Sequence, residues 1–198
     1  MDKNHKLWYN TKKLVGLVMS KIKKYIPYDC HFTIYDVDFD KIYALGKRIM
    51  LLDIDNTLLP YDMLDADEKL HQFVFRMKKI GFEIILVSNN NRTRVERISK
   101  QLDIKGFWRA FKPFSFKYRK IMKMYKCKAS EMIAVGDQLM TDVAGAQKIG
   151  IDCILVKTIK KSTEKWYTKI NRKRERKIIQ MIKSIDNEKY QKLIKIGE

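Results

Sequence analysis

Four short apolar runs, at Ile49–Ile54, Glu83–Ser88, Met132–Gly136 and Cys153–Val156, punctuate the middle of the chain. Their length and β-branched content predict buried strands. Between and around them, near 66–80, 92–102, 115–126 and 139–149, apolar positions recur at helical spacing. Strands that alternate with helices build βαβ units, so the predicted fold is α/β, a Rossmann-like parallel sheet with helices on both faces. In such sheets ligands bind beyond the carboxyl ends of the strands. At 198 residues the chain holds one domain of ordinary size with terminal appendages. The pattern divides it into an N-terminal segment 1–30, a core 31–160 and a C-terminal segment 161–198.

The two end segments differ from the core. From Lys6 to Ile26, Leu7, Leu14, Val15, Val18 and Ile22 fall largely on one helical face with lysines elsewhere, until Pro27 stops the pattern. This predicts a basic amphipathic helix within 1–30. The segment 161–198, with its "NRKRERK" run, also reads as a basic helical extension. Of the net charge of +19, residues 27–156 carry only +4, the rest lying at the ends. Two basic arms on a nearly balanced core suit a polyanion, either an acidic membrane surface or a nucleic acid. A helix packed on the core with its lysines in water also accounts for the N-terminal pattern, and for an arbitrary protein it is the favoured reading. Cys30, Cys127 and Cys153 form no CxxC pair, and the start of the chain lacks the apolar stretch of a secretory leader, so a reducing cytosolic setting is expected. The apolar stretch Leu14–Met19 is too short to span a bilayer.

The candidate chemistry sits at predicted strand ends. In "IMLLDIDNTLLP", Asp53 and Asp55 close the first strand one residue apart, so an extended chain points both carboxylates the same way. Like charges this close need a cation beside them, and an all-oxygen site next to phosphate suits Mg2+, with Mn2+ as an alternative. Turn or N-cap aspartates explain the same spacing. The segment "YDVDFDK" at 35–41 repeats that spacing with no strong strand before it, and reads as a solvated turn into a short helix. Ser88 and Asn89 end the second strand and Asn91 caps the helix that follows, where a hydroxyl and free N–H groups suit phosphate. Lys112, held off a helix interior by Pro113, offers a fixed cation. Asp137 and Asp142 bring two further carboxylates to the same edge.

"DIDNT", "VSN", "KP" and "GDQLMTD", taken in order, resemble the four-part signature of the haloacid dehalogenase-like (HAD) phosphatase superfamily. "DIDNTLLPYD", "VSNNN", "GDQLMTDV" and "KINRKRERKI" are similar to its YqeG-type branch in subfamily IIIA, itself similar to mitochondrial phosphatidylglycerophosphate phosphatases. The resemblance covers about residues 34–180 and implies a set of roles. Asp53 would attack phosphorus and form an aspartyl-phosphate, and Asp55 would serve as general acid and then base. Asp53, the Asp55 backbone carbonyl and Asp137 would hold Mg2+, with Asp142 near its water shell. Ser88, Asn89 and Lys112 would bind the phosphoryl group, and Thr57 would brace the loop.

Residues 58–87 and 90–111 leave no room for a sizeable cap domain, so the site should be open to a phosphate presented by something large. With the basic arms, this favours phosphatidylglycerophosphate at the inner face of an anionic membrane, with the protein cytoplasmic and peripherally bound. The competing readings are a phosphatase of soluble or macromolecular phosphates, and an RNA- or ribosome-associated factor whose binding falls steeply with salt.

Overall fold

Side chains that alternate between two apolar layers organise the sheet. The computed structural model describes residues 19–164 and 166–197. Its six strands are β1 (Asp29–His31), β2 (Ile49–Leu52), β3 (Glu83–Val87), β4 (Lys105–Phe107), β5 (Met132–Gly136) and β6 (Asp152–Val156). All pairs are parallel, in the order β1-β6-β5-β2-β3-β4. Along β2, Met50 and Leu52 enter one apolar layer while Ile49 and Leu51 enter the other, and β3, β5 and β6 alternate in the same way. Both faces are therefore covered, as the uninterrupted apolar runs require.

One face is covered by α1 (Phe39–Ala44), α2 (Glu68–Ile80) and α3 (Arg92–Gln101). Asp67 caps α2 by accepting from the Leu70 backbone N–H at 2.8 Å, and Gly81 ends it in the left-handed region at φ 110°. Leu70, Phe73, Val74 and Met77 form its buried stripe. The other face carries α4 (Phe116–Tyr125), the short α5 (Ala144–Gln147), α6 (Trp166–Ile182) and α7 (Asn187–Gly197). Tyr118, Ile121, Ala146, Ile182, Leu193 and Ile196 all belong to that layer.

The decoy aspartates behave as turn and cap residues. Asp36 accepts from the Thr33 backbone N–H and hydroxyl, Asp38 caps α1 through the Lys41 N–H, and Asp40 pairs with Arg76. The pattern from Lys6 to Ile26 lies mostly outside the described residues. Within them, residues 19–23 are helical and Ile22 belongs to the same apolar layer as Ile182.

Candidate active site

β2, β3 and β5 are neighbours, and register places Leu52 opposite both Leu86 and Val135. The residues that follow each strand therefore meet at one edge. Asp53 continues β2 by donating its N–H to the Val135 carbonyl at 3.0 Å. Ile54 is fully buried, so the chain turns at once. Asn56 takes φ 63°, a left-handed conformation that asparagine tolerates, and donates its N–H to the Leu59 carbonyl. That turn returns the Thr57 hydroxyl to Asp53 Oδ2 at 3.3 Å.

Lys112 sits against the other side of Asp53. Its Nζ lies 2.6 Å from Asp53 Oδ1 and 2.5 Å from Asp142 Oδ1, with all three side chains buried. Asn89 fixes the Lys112 backbone in both directions, accepting from its N–H at 2.7 Å and donating to its carbonyl at 3.1 Å. Asp142 also accepts from the Gln138 N–H and the Thr141 hydroxyl. It lies so close beneath β5 that a Cβ on Gly136 would stand 2.3 Å from its Cγ, which accounts for glycine there.

Asp55 faces a different set. Its Oδ1 accepts from Arg94 Nε at 2.6 Å, and its Oδ2 accepts from Asn90 Nδ2 at 2.9 Å, with the Ser88 hydroxyl at 3.5 Å. Arg94 is itself held by the carbonyls of Pro60 and Met63.

Asp137, 2% exposed, is gripped from the C-terminal segment. Arg172 of α6 donates to the Asp137 carbonyl at 2.7 Å and to Asp137 Oδ2, which also accepts from the Thr158 hydroxyl at 3.1 Å. The guanidinium is completed by Glu164 at 2.9 Å and Glu175 at 3.1 Å. Asp137 Oδ1 is buried with no hydrogen-bond partner. Buried oxygens are almost always satisfied, so a carboxylate oxygen without a hydrogen-bond donor is suited to face a cation. Asp53, Asp137 and Asp142 each offer an oxygen within 4.8 Å of the others. Three carboxylate oxygens in this arrangement fit a hard divalent cation such as Mg2+.

Burial raises the Asp53 carboxyl above the ordinary range, Lys112 opposes this, and Asp142, Asp55 and Asp137 reinforce it. Burial likewise lifts Asp137 to about 7 despite Arg172. Burial disfavours the Lys112 charge, yet Asp142 and Asp53 hold its pKa well above that of an ordinary lysine. An added cation is the natural relief for this crowded set. Above it opens a cavity of about 540 Å³ whose walls include Tyr61, Arg109 and, from α6, Thr168, Asn171 and Arg174.

A family model described as HAD-hydrolase-like matches residues 110–182. The Probable phosphatase YqeG of Bacillus subtilis is 30% identical over 161 residues, covering 81% of this chain and 93% of that protein. This chain is a HAD phosphatase of the YqeG type. Among solved structures, a hypothetical protein from Xanthomonas campestris is 17% identical with a TM-score of 0.48, covering 65% of this chain and 73% of that one. A 3-deoxy-D-manno-octulosonate 8-phosphate phosphatase from Moraxella catarrhalis, in complex with magnesium, phosphate and KDO, is 14% identical with a TM-score of 0.45, covering 62% of this chain and 83% of that one.

All eight residues singled out in this YqeG-type sequence lie at the one sheet edge. Asp53, Asp137 and Asp142 converge, Lys112 bridges two of them and Thr57 braces Asp53. Ser88 and Asp55 line the cavity beside them, with the Asp55 carboxylate outside the three-carboxylate group. Asn89 spends its side chain on the Lys112 backbone. Sequence reasoning missed Asn90 and Arg94, which hold Asp55, and the Arg172–Glu164–Glu175 network on Asp137. The run containing Arg172 was visible as a block of charge and as part of the resemblance, but neither reading singled out position 172.

Proposed function

We propose that this chain is a Mg2+-dependent phosphomonoester hydrolase whose substrate is phosphatidylglycerophosphate presented at a membrane surface. The observation that carries the chemistry is the pairing of Asp53, between Lys112 and Thr57, with the orphan Oδ1 of Asp137. In this reading an Asp53 carboxylate oxygen attacks phosphorus, the ester P–O bond breaks, and Asp55 gives its proton to the leaving oxygen. Water then attacks the phosphorus of the aspartyl-phosphate, Asp55 takes the proton, and Asp53 and inorganic phosphate are released. Lys112 and Ser88 hold the phosphoryl oxygens, while Arg94 and Asn90 orient Asp55. The Asp53, Asp137 and Asp142 side chains, with the Asp55 backbone carbonyl, would hold Mg2+. When bound, the ion supplies charge neutralisation for the carboxylates and the phosphoryl group.

Two features support a large, lipid-borne substrate. One is the cavity, for which the described residues between the motifs supply no cap domain: 58–82 holds only α2, and 88–111 only α3 and β4. The other is Arg109 and Arg174, which line the cavity and enter no ion pair among the described residues. A phosphodiester next to the reacting monoester would give them a partner. The test is Mg2+-dependent phosphate release from phosphatidylglycerophosphate in anionic vesicles, with wild type beside Asp53→Asn. Release by wild type alone is expected. If wild type instead cleaves p-nitrophenyl phosphate but leaves the lipid intact in both vesicles and detergent, the assigned substrate is wrong.

A further inference from the structure

The rim of the catalytic cavity carries apolar side chains that a folded core would normally hide. Phe111 and Phe114 flank Lys112 and Pro113, both of which line the cavity. They are 62% and 57% exposed, and Phe116, stacked on Phe114 at a centroid distance of 6.0 Å, is 71% exposed. Trp166 at 73% and Ile170 at 41% are also exposed, on the same helix that supplies Thr168, Asn171 and Arg174 to the cavity wall. Single exposed apolar residues are ordinary, but a cluster around a polar cavity marks an interaction surface.

We infer that this rim is the surface by which the protein docks on an anionic phospholipid bilayer, with the catalytic cavity facing the headgroups. The inference rests on the proposed lipid substrate and adds the face that meets it. Charge complementarity selects the occupant. Arg109 and Arg174 stand inside the rim without ion-pair partners among the described residues, Lys117 follows Phe116, and the chain as a whole carries +19. All of these apolar side chains but Ile170 are aromatic, and cations neighbour them in the chain, which suits entry between headgroups, where rings lie at the hydrocarbon boundary and cations meet phosphates. Docked in this way, Asp53 lies at the bottom of a cavity whose mouth is in the headgroup plane, so a lipid phosphate reaches it without leaving the bilayer.

The experiment compares the full chain with a Phe114→Ser, Phe116→Ser double variant and a Phe114→Leu, Phe116→Leu control. Each is sedimented with vesicles of phosphatidylglycerol and phosphatidylcholine, and with phosphatidylcholine alone. Wild type and the leucine control should bind the anionic vesicles, while the serine variant loses about ten-fold in affinity, on the scale of two partly buried rings. Hydrolysis of p-nitrophenyl phosphate should stay unchanged in all three. Equal binding by the serine variant, or equal binding of wild type to neutral vesicles, overturns the inference. So does a wild-type dimer that the serine substitutions convert to a monomer, because the rim would then be an interface between copies. If the serine variant loses vesicle binding while wild type leaves the lipid phosphate intact, the docking face stands and the substrate assignment falls. If wild type cleaves the lipid and the serine variant binds like wild type, the reverse holds.

Discussion

Arg172 has five acceptor groups around one guanidinium, three of them carboxylates, with the Asp137 carbonyl and the Thr158 hydroxyl the other two, and its removal should separate stability from metal binding. Burial opposes its charge, but Asp137, Glu175 and Glu164 together raise its pKa above that of an ordinary arginine. It leaves only Asp137 Oδ1 for a metal. An Arg172→Gln variant leaves buried carboxylates uncompensated, a change worth about 3–5 kcal/mol in comparable buried pairs. It also frees the Asp137 side chain to turn, and lost outer partners typically lower metal affinity about 10- to 100-fold. The expected outcome is a lower melting temperature, together with a Mg2+ titration of phosphate release shifted to higher concentration but still saturable. A titration curve unchanged by the substitution would show that Arg172 only holds α6 in place. The residue was hidden in the sequence because "NRKRERK" gives seven positions no reason to differ. Only the fold shows that position 172 turns inward to Asp137 while position 174 faces the cavity.

At the scale of elements, long apolar runs were legible and short edges were not. β2, β3, β5 and β6 were recovered to within a residue or two because burial on both faces leaves no polar position to blur the run. β1 and β4 were missed: each is a three-residue edge strand, and "DCH" and "KGF" have no period to detect. Most motif residues were legible for a related reason, since Asp53, Asp55, Ser88, Asn89 and Asp137 lie within three residues of the end of a recovered strand, whereas Lys112, which follows the missed β4, was legible only from the Lys-Pro pair. The predicted helix at 139–149 instead begins as a π turn over Leu139–Val143, which places Asp142 beneath Gly136. The missed β1 carries a measurable consequence. Lys192 of α7 pairs with Asp29 at 3.0 Å, and Lys189 lies 3.6 Å away. Partial burial raises the Asp29 pKa, but Lys192, the Cys30 N–H and Lys189 together hold it at about 2. A depressed folded-state pKa adds stability above the unfolded-state value near 4, and this is lost as pH falls through the folded value. Asp29→Asn should therefore cost on the order of 1 kcal/mol at neutral pH, after allowance for solvent screening. That difference from wild type should shrink between pH 4 and pH 2 in denaturant melts; a constant difference across that range would rule out the ion pair as its source.

For the molecule as a whole, the question is whether 161–198 is an appendage to a self-sufficient phosphatase core. Its position in the fold argues that it is structural. Ile182, Leu193 and Ile196 are buried in the layer that also holds Leu51, Ala134 and Leu155, and α7 reaches β1 at the sheet's edge. Burying each of the three is worth about 1.5–3 kcal/mol, so together they approach the about 5–15 kcal/mol that holds an average domain folded. The same segment supplies Arg172 to Asp137 and the Thr168–Arg174 wall to the cavity. The charge that reads as a free basic arm is thus partly spent inside the fold. A chain ending at residue 160 should fail to give a cooperative melt and should release no phosphate from p-nitrophenyl phosphate at any Mg2+ concentration. Adding 161–198 as a separate peptide should restore neither property fully, because the two pieces would then have to meet across a large entropic cost of association. A shortened chain that melts cooperatively and hydrolyses the ester at the full-length rate would place the functional boundary at 160, and would reduce α6 and α7 to a surface accessory.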